Sequence, residues 1–193
     1  MNMKYNPDIH HRHSIRLREY DYSSGGAYFV TICAYQRECL FGEVVDGEMR
    51  LNDCGGIVQE WWKQITTHFF GVTIDQFTIM PNHFHGIVTI VGAGFPRPDS
   101  CDGIIKGGGT SVGGETPPLR CPTLGQIIAY FKYQSTKRIN ALRDNPGCPV
   151  WQRNYYEHVI RNEDDLANIR QYIADNPLKW DLDENNPANI QEL

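Results

Sequence analysis

The chain has 193 residues, 40% of them hydrophobic and 11% aromatic, which suits one globular domain with a single core and argues against a disordered chain. Its formal net charge of −5 by itself speaks against nucleic-acid binding, because phosphate contacts usually come with an excess of basic residues. No apolar run is long enough to span a membrane and residues 1–18 are polar, so we expect a cytoplasmic protein without a membrane partner.

The predicted elements begin after a polar N-terminal arm, residues 1–24. Residues 27–33 are rich in aromatic and β-branched side chains and predict a strand. Residues 43–51, with Asp46-Gly47 in the middle, are typical of a short hairpin. Asn52 or Asp53 is then in position to cap a helix whose apolar residues recur at helical spacing.

Two further strands are predicted at residues 72–80 and 83–91, separated by a Pro81-Asn82 turn and therefore expected to pair antiparallel. Residues 92–122 hold eight glycines and five prolines and predict a long flexible loop inserted into the domain. The loop's KGGGTS string lacks the order of a phosphate-binding motif, so we interpret it as a linker and not as a nucleotide site.

The second half of the chain predicts two helices around one strand. Thr123 caps a helix at 124–142, residues 151–160 follow as an aromatic-rich strand, and Asn162 caps a last helix at 163–176. The expected inner stripe of the first of these helices is Leu124, Ile127, Ile128, Phe131, Ser135, Ile139 and Leu142. Residues 181–193 form an acidic tail. The whole chain, 1–193, is predicted to be one α+β domain with helices packed on a mainly antiparallel sheet.

Charge is unevenly distributed along this domain. Residues 132–161 contain six basic residues and two acidic ones, whereas residues 181–193 contain four acidic residues and no Lys or Arg. The net charge therefore does not describe the local electrostatic field, and it does not exclude a protein that binds nucleic acid.

The motif with the most chemical content is His83-Phe84-His85 at the start of a predicted strand. Side chains alternate along a strand, so the two histidines project from the same face and can converge on one metal ion. Without further context, such a pair is more often two ordinary polar residues.

A second pattern lies at the end of the last predicted helix. Tyr172 and Asn176 are four residues apart and therefore share one helix face, and Pro177 disfavours helical geometry at Asn176. Both side chains can reach into a cleft from there. Taken alone, Tyr172 would more often be a packing residue, and Asn176 a residue that merely ends a helix.

Four motifs follow one another in an order that resembles a known family. They are the His-hydrophobic-His strand, the basic helix, the block WQRNYYEHVIRN at residues 151–162 and the helix bearing YIADNP at residues 172–177. In this combination the chain resembles the REP-associated tyrosine transposases, a branch of the single-tyrosine HUH transposases. The resemblance covers residues 28–180 and is interrupted by the predicted loop.

The resemblance implies a ferredoxin-like sandwich that cuts hairpin-associated single-stranded DNA and can rejoin it. By motif, His83 and His85 would bind a divalent metal, Tyr172 would be the nucleophile, and Asn176 would be a third metal ligand. The product would be a 5′-phosphotyrosine with a free 3′-hydroxyl. Either Mg²⁺ or Mn²⁺ is expected to serve as the cofactor, because Mn²⁺ accepts imidazole ligands more readily while Mg²⁺ prefers oxygen.

Single-stranded DNA is therefore the expected partner, and several residues are candidates for holding it. Basic side chains would contact phosphates, and unpaired bases would stack on tyrosines, for which the candidates are Tyr130, Tyr133, Tyr155 and Tyr156. The candidate DNA-binding residues are Lys132, Lys137, Arg138, Arg143, Arg153 and Tyr155.

Several alternatives stay open at the level of the sequence. Tyr130 and Tyr133, on the basic helix, compete with Tyr172 as nucleophiles. A non-catalytic hairpin-binding protein and a hydrolase that activates water are competing functions. Related transposases are dimers that act in trans, whereas the REP-associated branch resembles monomers that act in cis, so we expect a monomer in preference to a homodimer.

Overall fold

The computed structural model describes residues 25–91 and 122–189. The predicted N-terminal arm and, apart from residue 122, the predicted loop lie outside the described residues, as do residues 190–193 of the predicted tail. The strands are β1 Gly26–Cys33, β2 Gly42–Val45, β3 Glu48–Leu51, β4 Val72–Ile79, β5 His83–Ile90 and β6 Tyr156–Ile160. The helices are α1 Asp53–His68, α2 Leu124–Leu142 and α3 Glu163–Asp175, followed by a 3-10 helix at Pro177–Leu182.

Four strands form the main sheet in the order β4-β5-β1-β6, and each adjacent pair is antiparallel. The units β1-α1-β4 and β5-α2-β6 interleave their strands in this sheet, which is the ferredoxin-like arrangement. The prediction of an α+β sandwich with a mainly antiparallel sheet is thereby confirmed. None of the helices in the described ranges is both long and apolar enough to cross a membrane.

The two faces of the sheet carry different helices. Helices α1 and α2 cover one face, where Trp62 and Phe131 pack on Phe84 of β5. Helix α3 covers the other face, where Ile173 packs on Phe29 and Ile87. Because side chains alternate along β5, the two histidines that flank Phe84 face α3.

Capping and turn residues in the sequence correctly predicted where the helices begin and where the hairpin turns. The N-caps are Asn52, whose side chain accepts a hydrogen bond from the Gly55 amide, Thr123, which forms a capping box with Gln126, and Asn162. Asp46 and Gly47 both have positive φ, as a two-residue hairpin turn of this kind requires.

Two predicted details of the second half were wrong. The last strand begins at Tyr156 and not at residue 151, because Trp151 makes only an isolated bridge with Ala34 and its indole N–H donates to Ser135 Oγ. Leu142, assigned to the inner stripe of α2, is 51% exposed because the last turn of the helix extends past the core.

Candidate active site

The two histidines of the motif lie at the start of β5 and are almost fully buried, with ring centroids 4.6 Å apart. In each ring the Nδ1 atom is already engaged. His85 Nδ1 is 2.8 Å from Thr31 Oγ1 on the neighbouring strand β1, and His83 Nδ1 is 3.0 Å from Asn82 Oδ1. The Nε2 atoms are therefore the ones left to bind a ligand.

Asn82 fixes the tautomer of His83. Its amide nitrogen donates to the carbonyl oxygens of Arg37 and Asn185, so its Oδ1 must be the atom that faces His83. Oδ1 can only accept, which means that His83 Nδ1 carries the proton and Nε2 carries a lone pair. Sequence reasoning treated Asn82 as a turn residue only; its position next to His83 was the one available signal.

Helix α3 brings Tyr172 and Asn176 to the same site. Tyr172 Oη lies 3.5 Å from His85 Nε2, and the phenol ring packs edge-on against His85 and Phe29. Tyr172 is 46% exposed, whereas Asn176 is buried where α3 meets the following 3-10 helix. The residues predicted as nucleophile and metal ligands thus converge, although 87 positions separate His85 from Tyr172.

Burial keeps both imidazoles neutral at physiological pH. It lowers the pKa of His83 to about 4, against the opposing effects of the Asp183 carboxylate and of Asn176. Burial and the adjacent His83 lower the pKa of His85 well below its usual value. A neutral imidazole is the form that binds a metal ion.

The residues present fit a divalent ion. His83 Nε2 and Asn176 Oδ1 are buried polar atoms with no hydrogen-bond partner among the described residues. Such atoms cost about 1–3 kcal/mol each, and a bound ion would compensate both. Among residues 25–91 and 122–189, no three His, Cys, Asp or Glu side chains lie in metal-binding geometry, and the Asn176 amide adds an oxygen beside the two histidines.

The pKa shifts predict that the metal-free protein loses stability in mild acid. A histidine whose folded pKa is lowered stabilises the fold fully above its unfolded value of about 6.5, and this contribution declines as the pH falls below it. We expect urea unfolding in EDTA to show a loss of about 2–4 kcal/mol between pH 6.5 and 5. The variant His83→Gln/His85→Gln should lack this slope; an equal slope in both proteins would contradict the prediction.

Tyr172 is protonated at neutral pH. Burial raises the pKa of its phenol, and the nearby Asp183 and Glu184 carboxylates raise it further, while Asn176 acts in the opposite direction. A phenol in this state is a poor nucleophile until a cation or donor stabilises the phenolate.

A cleft of about 670 Å³ opens beside Tyr172, between β1, β6 and α3. Its walls include Tyr155 and Tyr156, which the sequence predicts to stack on bases, and also Arg37 and His158, which were not assigned to the site from the sequence. Arg37 gave no sequence signal. His158 pairs with Asp165 at 2.9 Å and not with its neighbour Glu157, because adjacent strand residues face opposite sides of the sheet.

Most of the basic residues predicted to bind DNA lie on the other side of the sheet from the histidines. Lys132, Lys137, Arg138 and Arg143 lie on or at the end of α2, which packs on the sheet face opposite to His83 and His85. Lys132 Nζ donates to the carbonyl oxygens of Gln152, Arg153 and Asn154, at 2.5, 3.2 and 3.3 Å, and burial lowers its pKa to about 8. Lys132 therefore anchors the segment that borders the cleft.

Tyr130 and Tyr133, the alternative candidates for the nucleophile, also lie on α2, on the sheet face opposite to the histidines. Tyr130 stacks on His68 of α1, and Tyr133 is exposed on α2. Arg143 lies 3.4 Å from Glu38, and Arg153 is exposed next to the cleft-lining residues Gln152 and Asn154. Of the three tyrosines considered as nucleophiles, Tyr172 is the one beside the histidines.

Two known proteins are similar to the chain in sequence. No family model matches the chain. An uncharacterised protein of Haemophilus influenzae is 41% identical over 95% of this chain and 98% of its own length. A second protein of that organism, named "Putative REP-associated tyrosine transposase", is 27% identical over 82% of this chain and 74% of its own length.

A solved structure shares the fold. It is a REP-associated tyrosine transposase bound to a REP hairpin, with a TM-score of 0.53 and 20% identity over 85% of this chain and 73% of that one. The fold of the sheet, the order of the motifs and the similarity in sequence agree with one another. The chain is thus similar in sequence to one protein named as a REP-associated tyrosine transposase and similar in fold to another.

Proposed function

We propose that the protein is a metal-dependent endonuclease and strand transferase that cleaves hairpin-associated single-stranded DNA through a 5′-phosphotyrosine at Tyr172. The observation that carries this proposal is the 3.5 Å separation of Tyr172 Oη from His85 Nε2, at the edge of an open cleft. The hairpin bound by the structural relative supports the substrate class.

The proposed chemistry is an in-line transfer. The Tyr172 oxygen attacks phosphorus, the P–O bond to the 3′-oxygen breaks, and the 3′-oxygen takes up a proton. The phenol is half exposed, so its own proton can leave to water in the cleft. Because the phosphotyrosine conserves a phosphoester bond, rejoining the strand to another 3′-hydroxyl needs no nucleotide cofactor.

His83, His85 and Asn176 would hold the Mg²⁺ or Mn²⁺ ion. When bound, the ion would supply positive charge that stabilises both the phenolate and the phosphate as charge develops. The chain contributes orientation: Thr31 and Asn82 hold the imidazoles, and the packing of Ile173 on Phe29 and Ile87 holds α3 over them.

The cleft supports a single-strand binding mode. Tyr155 and Tyr156 offer aromatic surfaces for unpaired bases, and Arg37 and Arg153 offer positive charge beside them. A DNA strand would contact Lys137, Arg138 and Arg143 only if it extends from the cleft around to the α2 side of the domain. Since Tyr172 reaches His85 within one chain, we infer that cleavage occurs in cis in a monomer.

The test is a cleavage assay with wild-type protein. A labelled single strand carrying a hairpin and flanking bases should form a covalent protein–DNA species with Mn²⁺ and none in EDTA. Binding without an adduct on any flank would indicate a non-catalytic hairpin-binding protein. Cleavage without an adduct would indicate that water, and not tyrosine, attacks the phosphorus.

A further inference from the structure

The segment that follows the 3-10 helix is attached to the back of the histidine site. The Asn185 carbonyl oxygen accepts a hydrogen bond from Asn82 Nδ2 at 2.7 Å, and both Asn185 and Asn186 are buried. Asp183 Oδ1 accepts from the Asn185 backbone amide at 2.6 Å and from Asn185 Nδ2 at 3.0 Å. Buried Asn185 and Asn186 thus attach the described part of the predicted acidic tail to the domain, and Asn185 holds Asp183 in place.

The second carboxylate oxygen of Asp183 faces His83. Asp183 Oδ2 lies 3.8 Å from His83 Nε2, and its side chain is only 9% exposed. Asn82 places the proton of His83 on Nδ1, so Nε2 presents a lone pair to this carboxylate. Two atoms that each present a lone pair therefore face each other. Asn176 Oδ1, which has no hydrogen-bond partner among the described residues, is a third buried atom of this kind.

Among the described residues, no Lys or Arg side chain forms an ion pair with Asp183, although the charge of Arg37 acts on His83 from farther away. Buried groups that can only donate electron pairs repel one another unless a cation or a proton lies between them. Two atoms bound to one ion at about 2.1 Å can be at most about 4.2 Å apart, and the observed 3.8 Å lies within that limit. His83, His85 and Asn176 are all neutral ligands, so a carboxylate would bring the first negative charge to the ion.

We propose that Asp183 is the anionic residue of the metal site, with its Oδ2 binding the ion or one of the ion's waters from the His83 side. The inference rests on the proposed function, since it concerns the same ion. It extends the site from the motifs of β5 and α3 to a residue outside them. It also gives the acidic C-terminal segment a function in holding a cation.

The experiment measures Mn²⁺ binding directly, by calorimetry or by the loss of the free-ion electron paramagnetic resonance signal, at pH 7.5 without DNA. The test variant is Asp183→Asn, whose amide oxygen can still accept the hydrogen bonds from Asn185. The control is Asp181→Asn, which removes the same charge from an exposed position two residues away. Thermal unfolding in EDTA verifies that each variant folds.

We expect Asp183→Asn to weaken Mn²⁺ binding about 10- to 100-fold and Asp181→Asn to change it less than about 2-fold. Equal affinity in wild type and Asp183→Asn would overturn the inference and leave the proposed function standing. An equal loss in the two variants would overturn it as well, since general charge would then be the cause. Absence of Mn²⁺ binding by wild type would overturn the metal part of the proposed function together with the inference.

Discussion

Replacement of Tyr172 by phenylalanine is expected to abolish DNA cleavage, lowering its rate by about 10⁴-fold or more. The change removes only the oxygen that would attack phosphorus. The ring contacts with His85 and Phe29 persist, so the site should keep its shape. The measurement is single-turnover cleavage of a labelled hairpin-bearing strand with Mn²⁺, together with detection of the covalent adduct.

The matched control is Tyr133→Phe. Tyr133 is exposed on α2, on the layer opposite to the histidines, and removing its hydroxyl should leave the cleavage rate within about 2-fold of wild type. Equal cleavage by Tyr172→Phe and wild type would refute the assignment of the nucleophile. Turnover that survives in Tyr172→Phe but disappears in His83→Ala would point to a hydrolase that uses water.

The sequence predicted the parts of the site that local periodicity controls. Alternation along β5 put His83 and His85 on one face, and the four-residue spacing in α3 put Tyr172 and Asn176 on one face. The caps at Asn52, Thr123 and Asn162 also followed from local hydrogen bonding. These features depend on contacts between residues close in the chain.

Contacts between distant segments were not predictable in this way. Lys132 was expected to contact phosphate, but its ammonium donates to three carbonyl oxygens some twenty residues later. Asp183 lies in the segment predicted as an acidic tail, and its position near His83 depends on the hydrogen bond from Asn82 to the Asn185 carbonyl oxygen. The charge pattern of a sequence shows where charged residues are concentrated. Which groups a long charged side chain contacts depends on tertiary packing, which that pattern does not show.

Replacement of Trp62 by alanine is expected to destabilise the domain by about 3–5 kcal/mol. The indole is fully buried between the sheet and α2, with its ring centroid 4.5 Å from that of Phe84 and 5.2 Å from that of Phe131. The indole packs directly against the backbone of β5 at Gly86, because a Cβ added there would lie only 2.7 Å from Trp62 Cζ2. Urea unfolding at pH 7.5 measures the loss.

The Trp62 effect should extend to the histidines. Phe84 lies between His83 and His85 on β5, so a cavity behind Phe84 lets the strand shift and should weaken Mn²⁺ binding even where the variant is still folded. Trp61→Ala is the matched control, because Trp61 is only partly buried and packs on Tyr130 away from β5. It should cost less stability and leave Mn²⁺ affinity unchanged. Equal losses in the two variants would show that the indole of Trp62 has no special role in supporting the histidine strand.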